Sequence, residues 1–335
     1  MKWLIQEFLN NGSNMERMIG ALEACSTEYL LVKLDENDNL TVLDKETKIP
    51  LTDSLTVLKK FVLSDDIMVY GSKSFARFAK EIGFTPGSFE NEKFEFPYIK
   101  DVVGNELLNA DFTTGTLFEL EPTEDVFFIR PTGNTKLFSG MTVSRKDFFT
   151  WKKREEMLGE ISDYWEQPLM IAPVKEILAE YRFFVVDQKI ITGSSYNANA
   201  SISEELLAYT QRMIDIFPIA EAFVIDIAQT NQGFKIVEYN NINTSALYNC
   251  DEEKIVKAIN SLKRKSFYKY QIGQRFRTKN TKDQIEIQNF SMKEGPGGKY
   301  LSIQAKSLSA NALGEYDEYE LTEFALDSYY VSMDN

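Results

Sequence analysis

Three oxygen-bearing side chains near the end of one predicted hairpin are the strongest chemical signal in the sequence. Asp226 lies twelve residues before Glu238, and Asn240 follows two residues later. Side chains two residues apart on a strand point to the same face, so Glu238 and Asn240 share one face. If the chain turns near Gln232, Asp226 lies almost opposite Glu238. Two carboxylates and an amide oxygen suit Mg²⁺, although the same residues also fit the solvated face of an ordinary hairpin.

Two earlier segments carry charged side chains on or beside predicted strands. Arg130 ends an apolar strand, and a short loop with Gly133 and Lys136 follows. Cations beside a flexible glycine loop are what a triphosphate needs for charge neutralisation and close backbone approach. Glu180 and Arg182 share one face of a later strand. Taken alone, such a pair is usually an exposed edge-strand ion pair worth under about 1 kcal/mol.

The residue types available limit the chemistry. The 335 residues include no His and two Cys, at positions 25 and 250. Ser-His-Asp or Cys-His catalysis and imidazole metal ligands are therefore excluded, and two thiols cannot form a four-thiolate zinc site. The N-terminus lacks the apolar core of a signal peptide, and no apolar run approaches the roughly 18 residues that span a bilayer. We therefore expect a soluble protein of a reducing cytoplasm with no membrane partner.

The N-terminal region alternates strand and helix patterns. Short apolar runs typical of strands occur at residues 3–8, 29–34 and 67–71. Apolar residues recur at helical spacing between and after these runs, and Ser13 with Glu16 forms a capping-box pattern that predicts the start of the first helix. This order predicts an α/β domain over residues 1–110. Residues 84–120 have no clear period and are predicted to be a connector.

The middle region contains the elements that must position the charged side chains. Apolar and alternating runs predict strands at residues 127–131, 169–174, 180–197 and 222–241. Capping-box patterns predict helices that begin after Ser144, with Asp147, and after Ser201, with Glu204. Another helix is predicted around residues 255–262, where apolar residues recur on one face. Strands that alternate with helices in this way indicate an α+β region over residues 111–265.

Charge is distributed unevenly along an acidic chain. Its 37 Lys and Arg against 51 Asp and Glu leave a net charge of −14, which argues against a general attraction to phosphate backbones. Residues 254–282 nevertheless hold ten basic residues and no acid, with Phe and Tyr among them. That pattern also occurs on nucleic-acid contact surfaces, although it is more often a solvated face. Short strands and turns over residues 266–335 predict a small β-rich, barrel-like domain with a final short helix near residues 321–329.

The order of the three charged elements resembles the ATP-grasp superfamily. The most specific part of the resemblance is Glu238-Tyr239-Asn240 with Asp226 twelve residues earlier. The resemblance implies an α/β plus α+β fold in which two α+β subdomains clasp ATP behind an N-terminal α/β domain. The two arginines and one lysine of the earlier elements look like those of a phage-associated clade named for such residues. The location implied is the cytoplasm, which is the host cytoplasm if the protein is phage-encoded. One departure is Val224, where many ligases of the superfamily carry Arg two residues before the metal-binding Asp.

The resemblance also implies a role for individual residues, with ATP and Mg²⁺ as cofactors. The metal ligands would be Asp226, Glu238 and Asn240. The adenine hinge would be residues 173–177, including Pro173, Val174, Lys175 and Glu176, with Glu180 at the ribose. The catalytic and phosphate-binding cations would be Arg130, Lys136 and Arg182. The loop that faces the substrate would contain Asn243, Thr244 and Ser245.

The function implied is an ATP-dependent ligase. It would join a carboxylate to an amine through an acyl phosphate. The substrate would be an amino acid, another small molecule, a peptide or a protein. One alternative is a non-catalytic interaction protein that binds ATP as a structural or regulatory ligand, and Val224 motivates it. A second alternative is a nucleic-acid-contacting protein that uses residues 254–282.

Overall fold

The computed structural model describes most of the chain. The described residues are 1–7, 12–62, 66–133, 138–162, 164, 166–196, 200–262, 275–279, 283–295, 298–309, 316–322, 326 and 329–333. No helix within these ranges is both long enough and apolar enough to cross a lipid bilayer.

The N-terminal region is a mostly parallel sheet covered by helices. Its strands are β1 (Lys2–Gln6), β2 (Tyr29–Leu34), β3 (Leu40–Leu43), β4 (Ile67–Tyr70) and β5 (Pro86–Gly87). Its helices are α1 (Gly12–Ala24), α2 (Ser54–Val62), α3 (Lys73–Glu81) and α4 (Phe96–Val103). The strand order is β3-β2-β1-β4-β5, and β3 runs antiparallel to its neighbour β2. Trp3 and Ile5 pack towards α1 on one face, whereas Leu4 packs towards α2 and α3 on the other.

Two antiparallel sheets follow in the middle region. The first contains β6 (Thr113–Gly115), β7 (Val126–Pro131), β8 (Met141–Ser144) and β9 (Leu169–Pro173), with α5 (Arg145–Leu158). The second contains β10 (Ala179–Val186), β11 (Lys189–Ser195), β12 (Ala222–Thr230) and β13 (Gly233–Asn240), with α6 (Glu204–Ile216). Their strand orders are β6-β9-β7-β8 and β11-β10-β12-β13. Asp187 and Gln188 form the turn between β10 and β11 as predicted, both with positive φ, which is the backbone that a two-residue hairpin turn requires.

One face of the second sheet is divided between packing and chemistry. At one end, Phe184 and Val224 belong to the same buried cluster as α1 and the N-terminal sheet. Further along the same strands, Arg182 and Asp226 occupy this face, because side chains on a strand alternate between faces. The opposite face packs on α6 and α4 in a separate apolar cluster. The helix α7 (Glu252–Asn260) then returns to α1, and Trp3 Nε1 donates to Asn260 Oδ1 at 2.9 Å.

The C-terminal strands form an antiparallel sheet. They are β14 (Arg275–Thr278), β15 (Gln284–Gly295), β16 (Gly298–Ser307), β17 (Glu318–Thr322) and β18 (Tyr330–Ser332). The described strands have the order β17-β16-β15-β14-β18 and enclose a small core around Phe276, Ile285 and Ile303. A helix was predicted near residues 321–329, but Leu321 lies in β17. Leu326 and Tyr329 are helical. Residues 323–325, 327 and 328 lie outside the described residues.

Local signals predicted some boundaries and missed others. Ser144 caps α5 as predicted, and its hydroxyl accepts a hydrogen bond from the backbone N–H of Asp147 at 3.1 Å. The cap of α6 is Ser203 and not Ser201, because the Ser203 hydroxyl accepts from Leu206 N. Ser13 does not precede α1, which already begins at Gly12.

The predicted connector contains regular structure. The helix α4 lies within it and buries Phe96, Ile99 and Val103, which are spaced three and four residues apart on one helical face. Pro97 stands at the start of this helix, where its missing N–H costs no hydrogen bond. The prediction of an irregular segment was therefore wrong, because it overlooked the helical spacing of these apolar residues and the proline at the start of the helix.

Candidate functional site

The candidate site is built on a row of three charged residues across neighbouring strands. Arg182 on β10 pairs in register with Asp226 on β12, and Asp226 pairs in register with Glu238 on β13. Directly opposed residues on antiparallel strands have their Cβ atoms about 4.5–5.5 Å apart, so the three side chains interact directly. The predicted convergence of Asp226 and Glu238 is therefore confirmed.

This convergence depends on a β-bulge that the sequence did not reveal. Between the turn and Ile227, which faces Ile236, the register of β12 and β13 is constant. If it continued unchanged, Asp226 would lie opposite Val237. The register then shifts by one residue, so that Asp226 faces Glu238 instead. A bulge of this kind redirects the side chains that follow it, and bulges are common beside functional sites. The turn therefore does not centre on Gln232 as predicted, and the extra residue in β13 compensates for the difference.

Arg182 and Asp226 form a buried bidentate ion pair. Arg182 Nε and Nη2 donate to the two Asp226 carboxylate oxygens at 2.8 and 2.7 Å, and Asp226 has no exposed surface. The remaining terminal nitrogen, Nη1, donates to Ala246 O at 3.1 Å. The rings of Tyr196 and Tyr248 lie 5.4 and 4.9 Å from the guanidinium carbon, and Tyr196 Oη donates to Asp226 at 3.2 Å. Aromatic faces attract a cation, so this arrangement fixes the orientation of Arg182.

A second ion pair connects the two middle sheets. Arg130 on β7 donates through Nη1 to Glu238 Oε2 at 2.7 Å, and its guanidinium carbon lies 4.8 Å from the ring of Phe96. Asn240 Nδ2 donates to Glu238 Oε1 at 2.7 Å and to Asp226 Oδ2 at 3.1 Å. The side chains of Arg130 and Glu238 are 20% and 23% exposed, so this pair, unlike the first, is accessible from the cleft between the sheets.

The surroundings shift the pKa of each carboxylate in the cleft. Burial alone would raise the pKa of Glu238, but the charge of Arg130 and the hydrogen bonds from Asn240 and Arg130 hold it below its usual value. Burial raises the pKa of Asp226 to about 6, and the hydrogen bonds from Arg182 oppose that rise. Burial, followed by the negative charges of Asp226 and Glu238, raises the pKa of Glu180 to about 7. Glu180 therefore holds its proton to a higher pH than an exposed glutamate does.

The available oxygens decide whether the cleft fits a magnesium ion. No three carboxylate or thiolate side chains converge on one point in the described part of the chain. Asn240 Oδ1 makes no hydrogen bond to a described residue, and Glu238 is accessible, so these two side chains fit a hard cation that keeps its other positions for phosphate oxygens. Asp226 is correctly placed, but Arg182 holds both of its oxygens. Glu238 and Asn240 therefore fit a metal ion whose other ligands are the oxygens of a polyphosphate.

The predicted adenine hinge is an open connection between the two sheets. Pro173 ends β9, and Val174 is 49% exposed. Glu176 is exposed, and Lys175 Nζ lies 2.5 Å from Asp111 Oδ2. The backbone groups of residues 174–177 make no hydrogen bonds to other described residues, so they are available to a ligand edge. Glu180 lies on the same face of β10 as Arg182, adjacent to this connection.

The glycine loop is only partly described. Lys136, predicted to contact phosphates, lies outside the described residues. A Cβ at Gly140 would lie 2.5 Å from the ring of Phe128 on β7, so a larger residue there requires that ring to move. A Cβ at Gly133 would lie 2.9 Å from the Glu95 carboxylate, so the loop backbone approaches a side chain closely at this residue as well.

At least one residue of the predicted substrate loop attaches that loop to the N-terminal region. We call residues 241–247 the strap. Asn243 is fully buried, and its Nδ2 donates to Val69 O at 2.6 Å and to Gly87 O at 2.9 Å, while its Oδ1 accepts from Phe89 N at 2.9 Å. All polar atoms of this amide are therefore used to attach the strap to the N-terminal sheet, so the prediction that Asn243 faces a substrate was wrong.

Thr244 and Ser245, the other two residues predicted to face the substrate, contact the strap itself. Ser245 is buried and donates to Asn241 O at 2.8 Å. Thr244 is half-buried, and its hydroxyl lies 3.4 Å from the same carbonyl. A hydroxyl that already donates within a turn is poorly placed to recognise a ligand. Ser245 is therefore a structural residue, and Thr244 stays a prediction.

Sequence reasoning missed the aromatic residues of the site. Tyr196 and Tyr248, whose ring centroids are 4.3 Å apart, come from the position directly after β11 and from the segment before α7, and Phe96 comes from the predicted connector. No spacing rule links residues that far apart in sequence. Tyr248 has a positive φ of 46°, an uncommon backbone for a bulky residue that often marks functional sites.

The basic stretch offers little support for a nucleic-acid surface. Among its described cations, Lys254 pairs with Asp251, Lys257 with Glu253 and Arg275 with Glu286. Phe276 is buried in the C-terminal core and is not available for base stacking. Residues 263–274 and 280–282 lie outside the described residues.

Comparison with known proteins connects this geometry to a family. The family model described as "ATP-grasp domain, R2K clade family 3" matches residues 57–259. No curated protein matches the sequence. A D-alanine-D-alanine ligase from Coxiella burnetii has a similar structure, with a TM-score of 0.50 and 14% identity, over 77% of this chain and 90% of that one. The D-cycloserine synthetase DcsG has a TM-score of 0.52 at 9% identity, over 77% and 98% of the two chains. At these identities the likeness concerns the fold.

Proposed function

Because the chain belongs to the ATP-grasp domain family R2K clade family 3, we propose that it is an ATP-dependent ligase that joins a carboxylate to an amine. The observation that carries the proposal is the Arg130–Glu238 ion pair of 2.7 Å between the two middle sheets. It brings a cation from one sheet and a carboxylate from the other to the cleft where the fold holds ATP. We also propose that the chain is related to the phage-associated clade, with Arg130, Arg182 and Lys136 as the residues characteristic of it.

The proposed reaction has two steps. An oxygen of the substrate carboxylate forms a bond to the γ-phosphorus of ATP, and the bond from that phosphorus to the bridging oxygen breaks, so that ADP leaves. The amine nitrogen then attacks the acyl carbon of the acyl phosphate, loses a proton, and inorganic phosphate leaves. When bound, magnesium would neutralise phosphate charge, and Glu238 and Asn240 would hold it.

The side chains of the cleft support this reaction through charge and position. Arg130 can transfer its hydrogen bond from Glu238 to a phosphate oxygen, because its pair is accessible and its stacking on Phe96 keeps the guanidinium in the cleft. Arg182 lies opposite Asp226 and supplies the guanidinium that Val224, fully buried in the apolar cluster, cannot supply. Fixed cations that face a developing negative charge are a large source of rate enhancement.

The residues around 173–180 support a nucleoside subsite. The free backbone groups of residues 174–177 suit the edge of an adenine ring, and the exposed side chains of Val174 and Ile177 provide apolar contact. The side-chain carboxyl group of Glu180 makes no hydrogen bond to a described residue and would accept from a ribose hydroxyl.

Calorimetry of ATP binding with and without Mg²⁺ tests the proposal. We expect the wild type to bind ATP more tightly with Mg²⁺ and the Glu238→Gln variant to lose at least tenfold in affinity, mainly when Mg²⁺ is present. The matched control is Glu156→Gln, which changes an exposed residue of α5 and should bind as the wild type does. A folded wild type that binds no ATP, or a Glu238→Gln variant with unchanged metal-dependent affinity, would contradict the site assignment.

A second candidate function is a binding protein that retains ATP without ligation. Val224 favours it, because no arginine stands two residues before Asp226. The two functions differ in product formation. Release of ADP and phosphate that depends on an added acid and amine supports the ligase, whereas ATP binding without ADP formation across a panel of acids and amines supports the binding protein.

A further inference from the structure

Two of the contacts that orient Arg182 come from one short stretch of chain before α7. We call residues 246–250 the tyrosine segment. Ala246 O accepts from Arg182 Nη1 at 3.1 Å, and the ring of Tyr248 lies 4.9 Å from the guanidinium carbon. The Asp226 carboxylate accepts only from the other two nitrogens of the guanidinium. The position of the tyrosine segment therefore helps to decide where Arg182 points.

The backbone of the tyrosine segment needs support from its surroundings. Tyr248 has a φ of 46°, a conformation that a bulky residue adopts where the neighbouring structure imposes it. The side chain of Tyr248 is not enclosed, since the residue is 39% exposed. Burial of the ring therefore does not impose this conformation by itself, and hydrogen bonds to the backbone of the segment contribute to it.

Two side chains of helix α1 supply these hydrogen bonds on both sides of Tyr248. Asn14 Oδ1 accepts from the backbone N–H of Leu247 at 3.0 Å. Arg17 Nη1 donates to Tyr248 O, and Arg17 Nη2 donates to Cys250 O at 3.2 Å. Residues three apart on a helix are neighbours on its surface, so Asn14 and Arg17 hold the segment together from one face of α1.

Arg17 and the helix that carries it are themselves fixed. Arg17 forms an ion pair with Glu252 in the first turn of α7. Met18 of α1 and Ile255 of α7 belong to the same buried apolar cluster, so the two helices pack together. The α1 residues that contact the tyrosine segment precede residue 57, where the match to the family begins, so that match assigns them no role.

We propose that Asn14 and Arg17 are positioning residues for the ligation, which act through the tyrosine segment to orient the Arg182 guanidinium towards the transferring phosphoryl group. The inference rests on the proposed function, in which Arg182 faces the charge that develops on that group. A cation contributes most to the rate when it is fixed before the reaction begins. Without the contacts from α1, Arg182 would keep its hydrogen bonds to Asp226 but lose its fixed partners in the tyrosine segment.

Hydrogen exchange at the Arg182 Nε–H tests this positioning. Nuclear magnetic resonance of the ¹⁵N-labelled full chain follows the signal, which is assigned by its absence from Arg182→Lys. Arg17→Met removes the donors of Arg17 but keeps an unbranched apolar side chain. We expect it to speed exchange at the Arg182 Nε–H at least fivefold, because a less constrained guanidinium opens locally more often. Exchange of the Ile225 backbone N–H, in the buried centre of β12, should stay within twofold.

Arg77→Met is the matched control for the loss of an arginine from a helix of the N-terminal region. Arg77 lies on α3 and pairs with Glu81, and its side chain is 69% exposed. This variant should leave exchange at the Arg182 Nε–H unchanged. Unchanged exchange at that group in Arg17→Met, or an equal rise at the Ile225 N–H that indicates loosening of the whole fold, would overturn the inference.

Two substitutions of Asn14 test the second contact from α1. Asn14→Leu removes the acceptor for the Leu247 N–H and should speed exchange at the Arg182 Nε–H, as Arg17→Met does. Asn14→Asp retains an acceptor of the same size and should restore the slow exchange. Slow exchange in Asn14→Leu would show that this contact does not hold the segment.

Calorimetry of nucleotide binding distinguishes positioning of a charge from general support of the cleft. Mg²⁺-ADP with aluminium fluoride imitates the charge and shape of a transferring phosphoryl group, whereas a non-hydrolysable ATP analogue with Mg²⁺ imitates the ground state. We expect Arg17→Met to weaken the aluminium fluoride complex at least tenfold and the ATP-analogue complex less than threefold, because a fixed cation acts mainly on developing charge. An unchanged fluoride complex, or equal losses in both complexes, would contradict the positioning role.

The two measurements separate failure of this inference from failure of the proposed function. A folded wild type that binds neither nucleotide complex contradicts the proposed nucleotide site, and exchange at the Arg182 Nε–H then decides the positioning by itself. A wild type that binds both complexes, together with an Arg17→Met variant that has unchanged exchange and unchanged affinities, contradicts the inference alone.

Discussion

Arg182 and Asp226 lie directly opposite each other on adjacent antiparallel strands, and the guanidinium donates to both carboxylate oxygens at 2.8 and 2.7 Å. Asp226 has no exposed surface, so neither charge of the pair is well solvated. A buried pair contributes little net stability compared with apolar residues, but the loss of one partner leaves an uncompensated charge in the core. The pair therefore makes each of its members indispensable to the other.

A double-mutant cycle measures this dependence. We expect Arg182→Met or Asp226→Leu alone to lower the free energy of unfolding by about 3–5 kcal/mol, because each leaves the other charge buried. The double variant should lose less than the sum, with a coupling energy of about 2–3 kcal/mol. Urea unfolding of the four proteins provides these values.

The exposed pair Lys257–Glu253 on α7 is the matched control for that cycle. Its nitrogen and oxygen are also close, at 2.8 Å, but its side chains are 62% and 50% exposed. A much smaller coupling energy is expected there, because solvent screens the charges of an exposed pair. Additive effects of the Arg182 and Asp226 substitutions would show that the pair is not coupled as the geometry indicates.

Replacement of Asn243 should affect stability before it affects ligand recognition. Asn243→Ala removes a buried amide that bonds three backbone groups, at Val69, Gly87 and Phe89. We expect a loss of about 2–4 kcal/mol in the free energy of unfolding, because buried polar groups without partners are costly. Urea unfolding monitored by tryptophan fluorescence measures this change.

Thr244→Ala is the control for that substitution, since its hydroxyl makes only a 3.4 Å contact. It should cost less than about 1 kcal/mol, as expected for a weak hydrogen bond. Unchanged stability of Asn243→Ala together with altered ligand binding would restore the original prediction of a substrate-facing side chain.

Glu180 should make stability decrease between mildly acidic and neutral pH. Burial and the nearby carboxylates raise its pKa from 4.5 to about 7 in the folded protein. The folded state therefore binds more protons than the unfolded state in this window, so this contribution to stability is fully present below the unfolded pKa and is lost as the pH rises through 7. After a discount for the solvent that screens the half-buried group, the contribution is roughly 1–2 kcal/mol.

Glu180→Gln removes this titration and isolates it experimentally. Because the neutral amide replaces an unfavourable buried charge, the variant should be more stable than the wild type at pH 8 and nearly equal to it at pH 5. Urea midpoints at the two pH values measure the difference, with Glu156→Gln as the exposed control. Equal midpoints of wild type and Glu180→Gln at pH 8 would contradict the raised pKa.

The sequence determined those features that depend on local order. Alternation along β10 put Glu180 and Arg182 on one face, alternation along β13 put Glu238 and Asn240 on one face, and Ser144 was correctly identified as a helix cap. The superfamily itself was recognisable from the carboxylate motif and its spacing, because the whole motif lies within one hairpin.

Tertiary structure decided those features that depend on contacts between distant segments. The bulge in β13, the Arg130–Glu238 pair between two sheets and the tyrosines around Arg182 have no local sequence pattern, since each arises where separate elements pack. Asn243 is the clearest case. Its place after the carboxylate motif indicated a substrate contact, but the strap folds onto the N-terminal sheet, where three buried backbone groups require the amide as a partner.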